Sequence, residues 1–94
     1  MADHLLKQAL QYHQQGQLHL AKATYQTVLT QNPNDANALH LIGILEQQQG
    51  NDQKAIHYLE RATLIQPSNP TFFLNLGNAY RTQHQWKKAE KSWA

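Results

Sequence analysis

Residues 36–69 read ANALHLIGILEQQQGNDQKAIHYLERATLIQPSN, and this stretch decides the fold. Its first half sets Leu39, Leu41, Ile42, Ile44 and Leu45 at helical spacing behind Asp35, whose carboxylate suits a helix N-cap. Gln47-Gln48-Gln49 continue that helix, and Gly50 is a fitting left-handed terminator. Asn51-Asp52 then offers a new cap, and Ala55, Ile56, Tyr58, Leu59, Ala62, Leu64 and Ile65 carry a second helix to Gln66. Pro67 stops it, because proline lacks an N–H and pushes the preceding residue out of the helical region. Two helices around one tight turn make an antiparallel pair.

The same pattern recurs at a step of 34 residues. Pro33 and Pro67 keep that step, as do Gly16 and Gly50, Gly43 and Gly77, and the triplets Ala21, Ala55, Ala89 and Leu5, Leu39, Phe73. The next copy opens with Asn69 as cap and Pro70 at the first helical position, where a missing N–H costs nothing. A fixed period of this size means one supersecondary unit stacked on copies of itself, each burying the face its neighbour cannot bury alone. The expectation is one all-α domain over residues 1–94, with helix pairs in 2–35 and 36–69 and a shortened pair in 70–94. That is an α-solenoid of about 2.75 repeats. No strand signal interrupts it.

Small residues explain how tightly each pair closes. Gly43 and Gly77 fall mid-helix, with Ala9 at the matching place in the first copy. Glycine there costs up to about 1 kcal/mol in helix propensity, so close approach of the partner helix is the expected gain. Ala21, Ala55 and Ala89 are the matching small positions on the second helices. Leu5, Leu39 and Phe73, with Tyr25, Leu59 and Trp93, are expected to fill the space beside the contact.

At these positions the chain resembles the tetratricopeptide repeat, W-x2-L-G-x2-Y…A-x3-F…P. The third copy reads Phe73-x2-Leu76-Gly77-x2-Tyr80…Ala89-x3-Trp93. The second reads Leu39-x2-Ile42-Gly43-x2-Glu46…Ala55-x3-Leu59…Pro67 and departs at Glu46. The first reads Leu5-x2-Gln8-Ala9-x2-Tyr12…Ala21-x3-Tyr25…Pro33 and departs at Gln8, which polarises an outer side as a capping repeat should. The phrases Leu76-Gly77-Asn78-Ala79-Tyr80 and Leu29-Thr30-Gln31-Asn32-Pro33 are also similar to repeats that lead bacterial relatives of O-linked N-acetylglucosamine transferases. The resemblance implies a right-handed superhelix, a right-handed α-solenoid, whose first helices line a concave groove that binds peptides or protein segments. A scaffold of this kind names no ligand.

Helical spacing from Leu5, Leu39 and Phe73 selects the inner-face residues. They are Leu6, Leu10 and His13, then Asn37, His40, Leu41, Ile44 and Gln47, then Thr71, Leu74, Asn75, Asn78 and Arg81. From these, Leu6, Leu10, His40, Leu41, Ile44, Asn75, Asn78 and Arg81 form the candidate partner-binding set. Leu41 and Ile44 are either an apolar patch open for contact or a patch that neighbouring helices cover. Asn75 and Asn78 can each donate and accept to a bound peptide backbone, or simply face water. Arg81 can pair with a carboxylate. The basic clamp of chaperone-binding relatives is missing, because Leu6 and Leu10 stand where it wants Lys and Asn.

Composition excludes several other functions. Charged residues make up 15% of the chain, and the net charge is +2, too little for a nucleic-acid face. Residues 81–94 hold Arg81, Lys87, Lys88 and Lys91 against Glu90, a basic end that reads as a solvated helix face. Cysteine is absent, so there is no disulfide framework and no thiol nucleophile, and a cytoplasmic location fits. Met1-Ala2-Asp3-His4 does not open a signal peptide, and no apolar run is long enough for a membrane span. The six histidines are His4, His13, His19, His40, His57 and His84, and no two share a helix at i and i+4, so they read as surface residues. No carboxylate pair or phosphate loop occurs, and Ser68 and Ser92 stand beside no plausible base. The expectation is therefore a non-catalytic module without cofactor or metal, whose partner is a protein or peptide.

The array also ends without a solvating helix after Trp93. Three readings follow from that: an interaction module, the substrate-presenting or dimerising front of a larger glycosyltransferase-like enzyme, or a module that pairs with a second copy through its uncapped end or apolar groove.

Overall fold

The computed structural model describes residues 2–93, with side chains described over 4–84. Five helices follow one another: α1 (Ala2–Gln14), α2 (Leu18–Gln31), α3 (Ala36–Gln48), α4 (Asp52–Ile65) and α5 (Pro70–Trp93). There is no strand among the described residues. Helices α1 and α2 form one antiparallel pair and α3 and α4 a second, with α5 laid against α4. The first helices also touch in sequence, α1 against α3 and α3 against α5, so they make one continuous wall.

The turns obey the glycine pattern. Gly16 has φ +78° and Gly50 φ +81°, the left-handed conformation that a Cβ would oppose. At each, two backbone bonds close the preceding helix. Gly16 N–H donates to His13 O and Gln17 N–H to Tyr12 O, and Gly50 and Asn51 donate in the same way to Gln47 and Glu46. That double bond pattern is a Schellman motif, and it uses carbonyls that would otherwise lack partners. At the other turns, Asp35 Oδ1 accepts from Ala38 N–H at 3.1 Å, and Asn69 Oδ1 accepts from Thr71 and Phe72 N–H. Asn51 departs from expectation, since its side chain makes no cap bond and Nδ2 reaches back to Glu46 Oε1 at 3.4 Å.

Ala9, Ala21, Tyr25, Ile42 and Leu45 form the core between the two pairs, all without solvent exposure. Ala36, Leu39, Ala62 and Phe72 continue it, and Ile56, Leu59, Leu76 and Ala79 seat α5 on α4. Gly43 sits where α3 crosses α4: a Cβ there would lie 2.9 Å from Leu59 Cγ and Cδ2 and 3.4 Å from Ala55 O. This is the close approach that the glycine and alanine spacing implies.

The third unit differs from expectation. Residues 70–93 are one unbroken helix and not a helix pair. The reason is legible one period on from Gly16 and Gly50, where the chain has His84. Without a glycine to enter the left-handed region, propagation continues, each further residue adding a backbone bond at little cost. Gly77 accordingly has no described atom within 4 Å of its missing Cβ. Phe73, expected to pack like Leu39, is 47% exposed. The positions of the Ala89 and Trp93 side chains lie outside the described residues.

Candidate partner-binding wall

Helices α1, α3 and α5 carry the residues that helical spacing selected, and contacts within the chain take up some of them. His40 is buried, with its ring 4.4 Å from that of Phe72. Its Nε2 lies 2.6 Å from Asn75 Nδ2, so two members of the candidate set are bonded to each other. Burial holds the His40 imidazole below its ordinary pKa, since charging it would cost solvation. The neutral ring then accepts the amide proton. His40 therefore corrects the reading of the histidines as surface residues, because α5 brings Phe72 and Asn75 over it.

Leu6 and Leu41 are half-buried and pack on the same core cluster. Leu10 and Ile44 are also half-buried. Neighbouring helices thus take part of the apolar surface of α3 and leave the rest facing outward. On α5, Leu74 is 63% exposed, the most open apolar side chain of the inner face. Asn78 is half-buried and its Oδ1 accepts from Arg81 Nη2 at 3.2 Å, while Arg81 itself is exposed. The wall offers half-open leucine and isoleucine surface on α1 and α3, and Leu74, Asn78 and Arg81 on α5.

Helical spacing alone missed two polar networks. His13 Nδ1 meets Tyr25 OH at 3.0 Å and its Nε2 meets Gln48 Oε1 at 2.7 Å, joining the C-terminal ends of α1 and α3 to the middle of α2. Burial pushes the Tyr25 phenol up to about 12. The second network centres on Glu46, the residue that departs from the repeat pattern. It is 1% exposed and pairs with Lys22 Nζ at 2.8 Å. An ionised carboxylate in that position requires a partner, and a cation on the facing helix was the available signal. The Tyr25 hydroxyl beside His13 belongs to a side chain with no solvent exposure, and no cluster of three metal-ligating side chains occurs among the described residues.

The family described as tetratricopeptide repeat matches residues 12–72 of this chain. A PEX5-related protein of Mus musculus is 32% identical over 82 residues, which is 84% of this chain and 14% of that protein. The solved structure of a Thermobaculum terrenum O-GlcNAc transferase mutant superposes with a TM-score of 0.81 at 31% identity, covering 83% of this chain and 15% of that one. The chain belongs to the tetratricopeptide-repeat family. It spans about a seventh of the length of either relative. No helix among the described residues is long and apolar enough to cross a membrane.

Proposed function

We propose that this chain is a non-catalytic interaction module whose α1–α3–α5 wall receives a peptide or a segment of a partner protein. The observation that carries the reading is the run of apolar surface from Leu6 and Leu10 through Leu41 and Ile44 to the exposed Leu74, ending at Asn78 and Arg81. Apolar side chains gain by excluding water from a ligand. The amide and guanidinium at the far end supply direction by hydrogen bonding. His40 and Asn75 serve the wall by holding α3 and α5 together. A cytoplasmic location belongs to the same reading.

The test is selection of peptides from a random displayed library, followed by titration of the winners against variants. Leu74→Glu and Arg81→Glu change exposed side chains, so helicity should persist while affinity falls at least tenfold, about 1.4 kcal/mol. Leu41→Glu should abolish capture as well, at some expense to the core it touches. Selected peptides that bind all three variants like the parent would reject this wall.

Likeness to an O-GlcNAc transferase structure supports a second reading, the substrate-presenting front of a larger enzyme. A catalytic domain encoded downstream in the same reading frame would favour it. A stop codon there would end it.

A further inference from the structure

Two histidines stand where successive first helices meet, and each faces an amide from the following one. His13 of α1 places Nε2 at 2.7 Å from Gln48 Oε1 of α3. His40 of α3 places Nε2 at 2.6 Å from Asn75 Nδ2 of α5. The amide atoms facing the two rings are of opposite kind. Gln48 Oε1 can only accept, so His13 carries its proton on Nε2, and its bare Nδ1 accepts from the Tyr25 hydroxyl at 3.0 Å. Asn75 Nδ2 can only donate, so His40 keeps Nε2 bare and carries its proton on Nδ1.

A side-chain amide has a donor end and an acceptor end, so fixing one end on a ring leaves the other for a ligand. Gln48 commits its oxygen to His13 and leaves Nε2 as a donor, on an exposed side chain. Asn75 commits an N–H to His40 and leaves Oδ1 as an acceptor, on a half-buried one. That oxygen bonds to no other described residue, and no described side-chain oxygen or nitrogen is buried without a partner, so Asn75 Oδ1 reaches solvent. His40, Ile44 and Gln48 fall at i, i+4 and i+8 and share one stripe of α3. The acceptor beside His40 and the donor at Gln48 thus stand about 12 Å apart along the helix, with half-buried Ile44 between them.

We infer that His40 and His13 are positioning residues that fix the hydrogen-bonding polarity of the wall: an extended peptide gives a backbone N–H to Asn75 Oδ1 and accepts from Gln48 Nε2 at a backbone carbonyl. An extended chain covers the gap in roughly three or four residues, so both contacts fall on one short segment whose side chain meets Ile44. A carboxylate is refused at the Asn75 end, because two acceptors would face each other there. Without the rings, each amide could turn over and offer either end. The occupant rests on the reading of the wall as a peptide site, whereas the polarity belongs to the free chain.

Long-range proton–nitrogen correlation on the isotope-labelled free chain at about pH 8, where both rings are neutral, reads the ring nitrogens directly. His40 should show Nδ1 protonated and Nε2 bare, and His13 the reverse. A proton on His40 Nε2 would overturn the inference whatever the wall binds. A second arm takes a library-selected peptide and replaces each backbone N–H in turn by an ester oxygen. One replacement should weaken binding to the parent chain about fivefold, the worth of one neutral hydrogen bond, and should cost almost nothing against Asn75→Ala. His40→Met frees the amide and should shrink that penalty, while His40→Gln, whose terminal oxygen can accept the same N–H, should restore part of it. Equal penalties in the parent chain and Asn75→Ala would overturn the acceptor role. A wall that selects no peptide overturns the occupant, a failure distinct from that of the ring assignment, which the first arm decides alone.

Discussion

Asn75 Nδ2 lies 2.6 Å from Nε2 of His40, and that bond ties the inner helix of one unit to the inner helix of the next. The two residues are 35 apart, as are His13 and Gln48, which make the corresponding junction between α1 and α3. Imidazole-to-amide bonds thus recur at successive junctions of the wall.

Burial of the His40 imidazole makes this side chain a source of acid sensitivity. Burial lowers the His40 pKa, so the unfolded chain binds a proton that the folded chain resists. Stability is complete above about pH 6.5 and is lost as pH falls from there through the lowered folded value. Urea midpoints measured between pH 7.5 and 5 should decline, and His40→Leu should flatten the decline. An unchanged slope in that variant would assign the acid sensitivity elsewhere.

Removing Lys22 should hurt more than its half-exposed position suggests. Lys22→Met leaves the Glu46 carboxylate buried with only the long Asn51 contact, a loss of about 3 kcal/mol by the behaviour of broken buried pairs. Adding Glu46→Met should recover most of it, because an apolar pair of similar volume needs no counter-charge. Chemical denaturation of both single variants and the double variant measures the coupling.

Gly43 and Gly77 occupy the same repeat position and should respond oppositely to alanine. Gly43→Ala drives a methyl against buried Leu59 and should destabilise by roughly 1–2 kcal/mol after its propensity gain is counted. Gly77→Ala meets open space and should stabilise by up to about 1 kcal/mol. Melting curves that moved in the same direction would contradict the packing difference.

Gly50→Ala should cost about 1–2 kcal/mol although nothing lies within 4 Å of the new methyl. The strain comes from φ +81° alone. Gly50→Asn should recover part of the loss, because asparagine tolerates that conformation better than alanine. Equal stability of the alanine and asparagine variants would count against a backbone origin.

Much of the architecture was legible in periodicity because helix caps, proline stops and left-handed glycines are local. Asp35, Asn69, Pro33, Pro67, Gly16 and Gly50 act through their own backbone or residues a few positions away. The slot at Gly43 was also readable, because a repeated glycine and alanine spacing implies two helices in close contact. The inner-face set followed from helical geometry alone, and of its apolar members Leu6 and Leu41 pack on one core cluster. Even the unbroken α5 had a cue in His84, one period after two glycines, although an expected pair of helices overrode it.

Side-chain fate was not legible in the same way. His40 lies on the inner face by spacing, yet whether it meets solvent depends on Phe72 and Asn75, more than thirty residues along. Glu46 breaks the repeat pattern in one dimension and is accommodated in three, by a lysine on a different helix. Local backbone chemistry sets where helices start, stop and pair, because those energies involve neighbours in the chain. Burial and polar pairing depend on which helices pack side by side, so a contact such as His40 to Asn75 exists only once the units have stacked.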